Sequence, residues 1–224
     1  AENRLQGGIA CEVSFGQDSA TLRLQNVLGE AMLYAPLAAL AVGVAEGMRL
    51  RDAVAAVSTF TPPPGRLRLL AGVKRTSIID DSYNSSPAAA QSAVRLLDRV
   101  PSHAGKKYAV LGDMRELGEI AERAHRELGA QVARAEIDTL VCVGELSRDI
   151  ARGARQAGMP ESGVFTFPHA ATAGRFLQDR IEPGDVLLVK GSQAMRMEKV
   201  VKELMAEPGR SAELLTRQGP EWGD

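Results

Sequence analysis

The sequence lacks most of the marks of metalloproteins, secreted proteins and membrane proteins. Its 224 residues hold two cysteines, Cys11 and Cys142, far apart in apolar surroundings and without the CxxC spacing of a zinc site. Both are expected to be inert thiols in a reducing compartment, which makes the cytoplasm the expected location. The three histidines, His103, His125 and His169, are too few for a histidine-rich metal site. No window approaches the roughly 18 uninterrupted apolar residues of a membrane span, and the start has no basic segment leading into an apolar signal region. An excess of one charge is missing too. The 27 basic residues nearly match the 28 acidic ones, with no block of like sign, so nothing points to nucleic acid or an anionic membrane as partner. There is no GxxxxGK[ST] loop for a triphosphate, no GxGxxG and no HExxH. Ala1 in place of Met fits a chain that is part of something longer, and equally one that has lost its initiator.

What is present suffices for one large domain or two modest ones, at 45% hydrophobic and 25% charged residues. From about Thr76 short apolar runs alternate with helix-like segments: SIID at 77–80, YAVLGD at 108–113, TLVCVGE at 139–145, VFTFPH at 164–169 and DVLLVKGS at 185–192. Their spacing of roughly 20 to 30 residues is that of βα units. Ile120, Ala124, Leu128 and Val132 fall four apart, as one face of a helix requires, and Val200, Val201, Leu204 and Met205 make a second such face. Apolar strands separated by helices predict an α/β fold with a mostly parallel sheet covered on both sides.

Residues 1–72 read differently. GIACEVSF and ATLRLQNV predict a hairpin around GQDS, an alanine-rich helix follows over 31–47, and a shorter one covers 51–58. TPPPGR at 61–66 then breaks regular structure, because proline removes donors and fixes φ, and a linker is expected near 65–75. The terminal stretch LLTRQGPEWGD is expected to fray.

All five strands of the second region end in polar or glycine residues: Asp80 and Asp81, Gly112 and Asp113, Gly144 and Glu145, Pro168 and His169, Lys190 and Ser192. In an open α/β sheet such ends share one rim and can converge on a ligand. For Glu145 and His169 the plain reading, a polar strand end leaving for solvent, is preferred. IIDDSYNSSP at 78–87 asks for more. Ser86 followed by Pro87 is a helix start, with a hydroxyl cap and proline in the first turn. Two adjacent carboxylates at a strand tip repel, and call for a compensating sugar hydroxyl, metal or arginine. Arg66 would bring charge to an anionic ligand. VKGSQAMRME brings a lysine, a glycine and a hydroxyl to another strand end, ahead of a helix start that favours anions.

Taken together, IIDDSYNSSP, VLGDMRELG, His125 in AERAHRELG, and GDVLLVKGSQAMRMEKVV closely resemble the carboxyl-terminal portion of the Mur ligases, nearest to the members that add D-alanyl-D-alanine to UDP-N-acetylmuramoyl tripeptide. The resemblance runs, in order, over about the last four-fifths of the chain. It implies a cytoplasmic three-domain ligase using ATP and Mg2+ to make an acyl phosphate that an amine then attacks. Residues 1–72 would be the end of its central ATPase domain, an α+β piece, and 73–224 its Rossmann-like C-terminal domain. Residue by residue, it implies ATP binding by Arg66, Asp81, Tyr83 and Asn84, with Asp81 on the ribose and Arg66 on the phosphates. Lys190, Gly191 and Ser192 would meet the incoming amino substrate, and Asp113 belongs to a signature with a structural role. No metal ligand is implied in this chain.

Two departures qualify the resemblance. GEAMLYAPLAA at 29–39 stands where the family carries a metal-binding histidine and an adenine-binding asparagine, and Ala31 and Ala35 replace them. The phosphate loop and the UDP-sugar domain are also absent from this chain. A non-catalytic Mur-like module that holds a nucleotide or amino compound is therefore the alternative reading, and the related folylpolyglutamate synthase class a third.

Overall fold

The computed structural model describes residues 7–25, 27–101 and 105–222; His103 lies outside them. The chain divides into two compact units, one running to residue 63 and taking in 67–69, the other formed by 64–66 and the residues from 70 onward.

In the first unit β1 (Gly8–Phe15) and β2 (Asp18–Gln25) form the expected antiparallel hairpin, closed opposite Phe15 and Asp18. Along β2 the side chains alternate, Leu22 and Leu24 buried between exposed Thr21, Arg23 and Gln25, as period-2 geometry requires of a strand with one wet face. The alanine-rich segment is not one helix. A 3-10 turn at Glu30–Leu33 precedes α1 (Tyr34–Ala45), and α2 (Leu50–Val57) follows. Leu40, Leu50, Ala53 and Val54 close over Leu22 and Leu24 to form a small core.

A six-stranded sheet carries the second unit. Its strands are β3 (Arg68–Ala71), β4 (Ser77–Asp81), β5 (Lys107–Gly112), β6 (Thr139–Val143), β7 (Val164–Phe167) and β8 (Val186–Lys190). Five of them lie wholly within that unit, and the edge strand β3 starts at residues 68–69, which are counted with the first. Five were expected; β3 was not, because 65–75 reads as a proline-flanked linker, whereas Arg68–Ala71 joins the sheet as its edge. The strand order is β3-β4-β8-β5-β6-β7, and β4, β8, β5, β6 and β7 pair in parallel. The last strand therefore enters the middle of the sheet, between the two strands that carry the DDSYN and GDM motifs.

The helices are α3 (Pro87–Arg99), α4 (Ala121–Arg134), α5 (Arg148–Gln156), α6 (Ala170–Arg180), α7 (Glu198–Leu204) and α8 (Ser211–Leu214). Ser86 caps α3 by accepting from the Ala89 N–H, with Pro87 at the first position, as the sequence reads. Ala124, Leu128 and Val132 are buried along α4, but Ile120 is not part of that face: it precedes the helix and is 45% exposed. Alternate strand residues such as Ile78, Val110, Val141 and Leu187 pack under Leu177, Val200, Val201 and Leu204 of α6 and α7, while their neighbours face α3, α4 and α5. Strands β4, β5, β6 and β8 are buried on both sides, which is why they read as continuous apolar runs, whereas β3 and β7 at the edges are only partly covered. Among the described residues no helix is long and apolar enough to cross a membrane.

Candidate functional site

The β4, β8 and β5 strand ends form one rim, and the register puts Asp81 directly opposite Lys190. The Lys190 ammonium, 3% exposed, lies 2.6 Å from Asp81 Oδ2 and donates to the Asn84 carbonyl at 2.9 Å. A buried charge requires such pairing. Reaching an incoming substrate would require the lysine to leave this pair. Asp81 itself is buried as well, though less completely than Asp80, at 8% exposed.

Asp80 faces the other way and is fully buried. Its partners within the chain are two backbone amides rather than an arginine: Gly65 N–H donates to Oδ2 and Ser82 N–H to Oδ1, each at 3.1 Å. Burial nevertheless pushes the Asp80 carboxyl up to about 6, against the hydrogen bonds from Ser82 and Gly65. The Gly65 carbonyl in turn accepts from Tyr83 N–H at 3.1 Å, so the PPPGR loop is clipped to the DDSYN loop from both sides. Gly65 has φ +72, and a Cβ there would lie 2.9 Å from Tyr83 N; only glycine fits. The clip leaves Arg66 exposed, its guanidinium 4.1 Å above the Tyr83 ring, a cation–π contact. Asn84 turns its Oδ1 onto Ser85 N–H, stabilising its own turn.

On the β8 side, Gly191 packs backbone to backbone with Gly112: a Cβ would stand 3.1 Å from Gly112 Cα and 2.6 Å from Met197 Cγ. Ser192 Oγ accepts from Arg115 N–H at 2.8 Å and donates to the Ser85 carbonyl at 3.4 Å, joining the ends of β5, β8 and β4. The expected helix start after Ser192 is instead one 3-10 turn, Gln193–Met195, before α7.

Asp113 and His125 brace the rim from beneath. Asp113 Oδ1 accepts from Ser147 N–H at 2.8 Å. His125, fully buried, donates from Nδ1 to the Ala121 carbonyl and accepts Met114 N–H at Nε2, which fixes the neutral tautomer. Glu145 and His169 are exposed, in keeping with the solvent reading.

Sequence reading missed the tail. Leu214 and Leu215 are buried, and Arg217 returns to donate to the carbonyls of Ser82 at 2.8 Å and Tyr83 at 3.1 Å. The same guanidinium meets fully buried Glu198 at 2.7 Å, and Arg196 holds that carboxylate from the other side at 2.5 Å. The expected fraying is thus wrong for 214–222, because a buried ion pair and two apolar anchors hold the segment. The hint lay in Glu198, an acid at the first position of α7 that is fully buried. Among the described residues, no group of three or more His, Cys, Asp or Glu side chains is placed to hold a metal.

A doubly wound α/β domain whose rim joins a DDSYN loop, a GDM loop and a KGS loop is of the Mur ligase carboxyl-terminal class. Residues 65–193 match the family model described as Mur ligase, glutamate ligase domain, and the chain belongs to that family. Within it, the similar relatives are UDP-N-acetylmuramoyl-tripeptide--D-alanyl-D-alanine ligases. That of Bacillus subtilis (strain 168) is 32% identical over 182 residues, 81% of this chain and 39% of its own length. That of Escherichia coli (strain K12) is 32% identical over 168 residues, 75% of this chain and 35% of its own. Among solved structures, MurF from Acinetobacter baumannii superposes with a TM-score of 0.74 at 27% identity, over 86% of this chain and 41% of that one. MurF from Thermotoga maritima in complex with ADP gives 0.70 at 26%, over 88% and 43%. The chain spans about two fifths of the length of the curated relatives it matches.

Proposed function

We propose that this chain is the carboxyl-terminal part of an ATP-dependent ligase that joins D-alanyl-D-alanine to UDP-N-acetylmuramoyl tripeptide. Residues 1–72 are then the end of its central domain and 73–224 its C-terminal domain. The observation that carries the reading is the 32% identity with ligases of that name across 81% of the chain, supported by the neighbour solved with ADP. In such a reaction the peptide carboxylate attacks the γ-phosphorus of ATP, releasing ADP. The amine then attacks the acyl phosphate carbon, forming the amide and releasing phosphate. Magnesium would offset the charge of the transferred phosphoryl group, and no ligand for it is assigned to the residues of this chain.

The residues here bind and orient. Asp81, anchored by Lys190, is fitted to accept hydrogen bonds from ribose hydroxyls. Exposed Arg66, steadied over Tyr83, is fitted to phosphate, and Tyr83 and Asn84 flank the nucleotide. Lys190, Gly191 and Ser192 shape the adjoining rim for the amino substrate, chiefly by holding backbone in place, since both polar side chains are already engaged. The enzyme works where ATP is made, in the cytoplasm.

The test joins this chain to the amino-terminal remainder of its reading frame and follows phosphate release with ATP-magnesium, UDP-muramoyl tripeptide and D-alanyl-D-alanine. Release dependent on the dipeptide supports the ligase. A frame without a phosphate loop, or no release with any amine, rejects it. Ala31 and Ala35, methyl groups where the family carries polar side chains, favour the second reading: a binding module that retains nucleotide affinity without turnover.

A further inference from the structure

The tail and α7 enclose a pocket of about 640 Å3 that the ligase reading does not use. Arg196, Lys199, Lys202 and Arg217 line it, and Glu203 is the one carboxylate in its lining. Glu198, beneath, is shared by the two arginines. Among the described lining residues four are cationic and one is acidic; Glu198 offsets a second cation from below, and the Glu221 carboxylate lies beside Gly219 at the edge. Neither Lys199 nor Lys202 has a carboxylate within ion-pair distance among the described residues.

Two further observations point to a ligand. The Nε of Arg217, a side chain 3% exposed, is buried without an acceptor, and Thr216 Oγ1 next to it is likewise buried and unpaired among the described residues. Buried donors are ordinarily paired, so orphans gathered in one place ask for a missing partner. Arg196 and Arg217 are also both held at positive φ, 51° and 54°. Of the six non-glycine residues at positive φ among the described residues these two line the pocket, and a residue with a Cβ holds that conformation only where its surroundings over-determine it.

We propose that this pocket binds a small molecule bearing two or more carboxylate or phosphate groups. The anion lies across Lys199 and Lys202 and against Arg196, with Arg217 forming the floor. A guanidinium and two ammonium groups around one cavity suit acidic oxygens by charge-assisted hydrogen bonding. Because Arg217 also holds the Ser82 and Tyr83 carbonyls, the occupant lies directly behind the DDSYN loop.

Trp222, the single tryptophan, gives the readout: its carbonyl accepts from Arg196, and its ring lies 5.6 Å from that guanidinium. Fluorescence and calorimetry of this chain, at constant ionic strength, are followed while citrate or pyrophosphate is added. Saturable binding is expected for at least one probe, and the tighter of the two assigns carboxylate or phosphate. Lys199→Gln with Lys202→Gln weakens it at least about tenfold; Arg95→Gln, on exposed α3, leaves it unchanged. No saturation with either probe up to about 20 mM overturns the proposal. So does a double variant that binds like wild type, or an Arg95→Gln effect of equal size. Melting curves of each variant separate lost binding from lost fold. None of these outcomes depends on nucleotide binding or ligase activity.

Discussion

Asp80 and Asp81 are neighbours in sequence with opposite surroundings. Asp80, buried against two amides, has its carboxyl raised to about 6. Between the unfolded value near 4 and that folded value the native state holds the extra proton, so stability falls as pH rises through this window and levels off above it. Carboxyl carbon NMR across pH 3 to 8 is expected to find the Asp80 midpoint near 6; a midpoint near 4 would refute the assignment. Asp81 is held by Lys190. Asp81→Ala strands the buried ammonium, at an expected cost of about 3 to 5 kcal/mol, while adding Lys190→Met recovers most of it, read as denaturation midpoints in a double-mutant cycle. Loss of nucleotide binding in Asp81→Ala alone is therefore no proof of a ribose contact; the double variant is the control. Nothing in the sequence separates the two aspartates beyond strand alternation, and the identity of their partners depends on residues 15 and 109 positions away.

At the scale of elements, the strands and helices from β4 to α7 were legible, because each is an apolar run or stripe closed by its own local signals, such as Ser86 and Pro87. Three elements were not. Strand β3 is hidden by the prolines at 62–64 that precede it and by its short length, the 3-10 turn after Ser192 replaces an expected helix start, and the tail offers few apolar anchors besides Leu214 and Leu215. The tail is the consequential miss. Arg217→Ala removes two hydrogen bonds to the DDSYN loop and leaves Glu198 buried with one cation, so it should destabilise the second unit by about 2 to 4 kcal/mol. Amide hydrogen exchange is expected to quicken over 82–85 more than over the distant α5; equal effects at both sites would mean that Arg217 acts only on global stability.

Over the whole molecule, a family chain two fifths the length of its relatives carries one rim of a site without the phosphate loop. It is expected not to hydrolyse ATP on its own, measured as phosphate release against a buffer blank; turnover by the isolated chain would contradict the division of labour proposed above. The rim residues came from motif resemblance, which gives residue types but not partners: Lys190 reads as a free cation and is a buried ion-pair member, and Ser192 reads as a free hydroxyl and is an internal brace.

The sequence by itself determined the βα rhythm, the helix cap at Ser86 and the order of the family motifs, since all of these are written in periods and neighbours a few residues apart. Only the tertiary structure decided that the last strand enters between β4 and β5, setting Lys190 against Asp81, and that the tail returns to hold the DDSYN loop through Arg217. Strand order and ion-pair choice follow from which distant surfaces bury each other's apolar area and charge. Local periodicity does not contain that information.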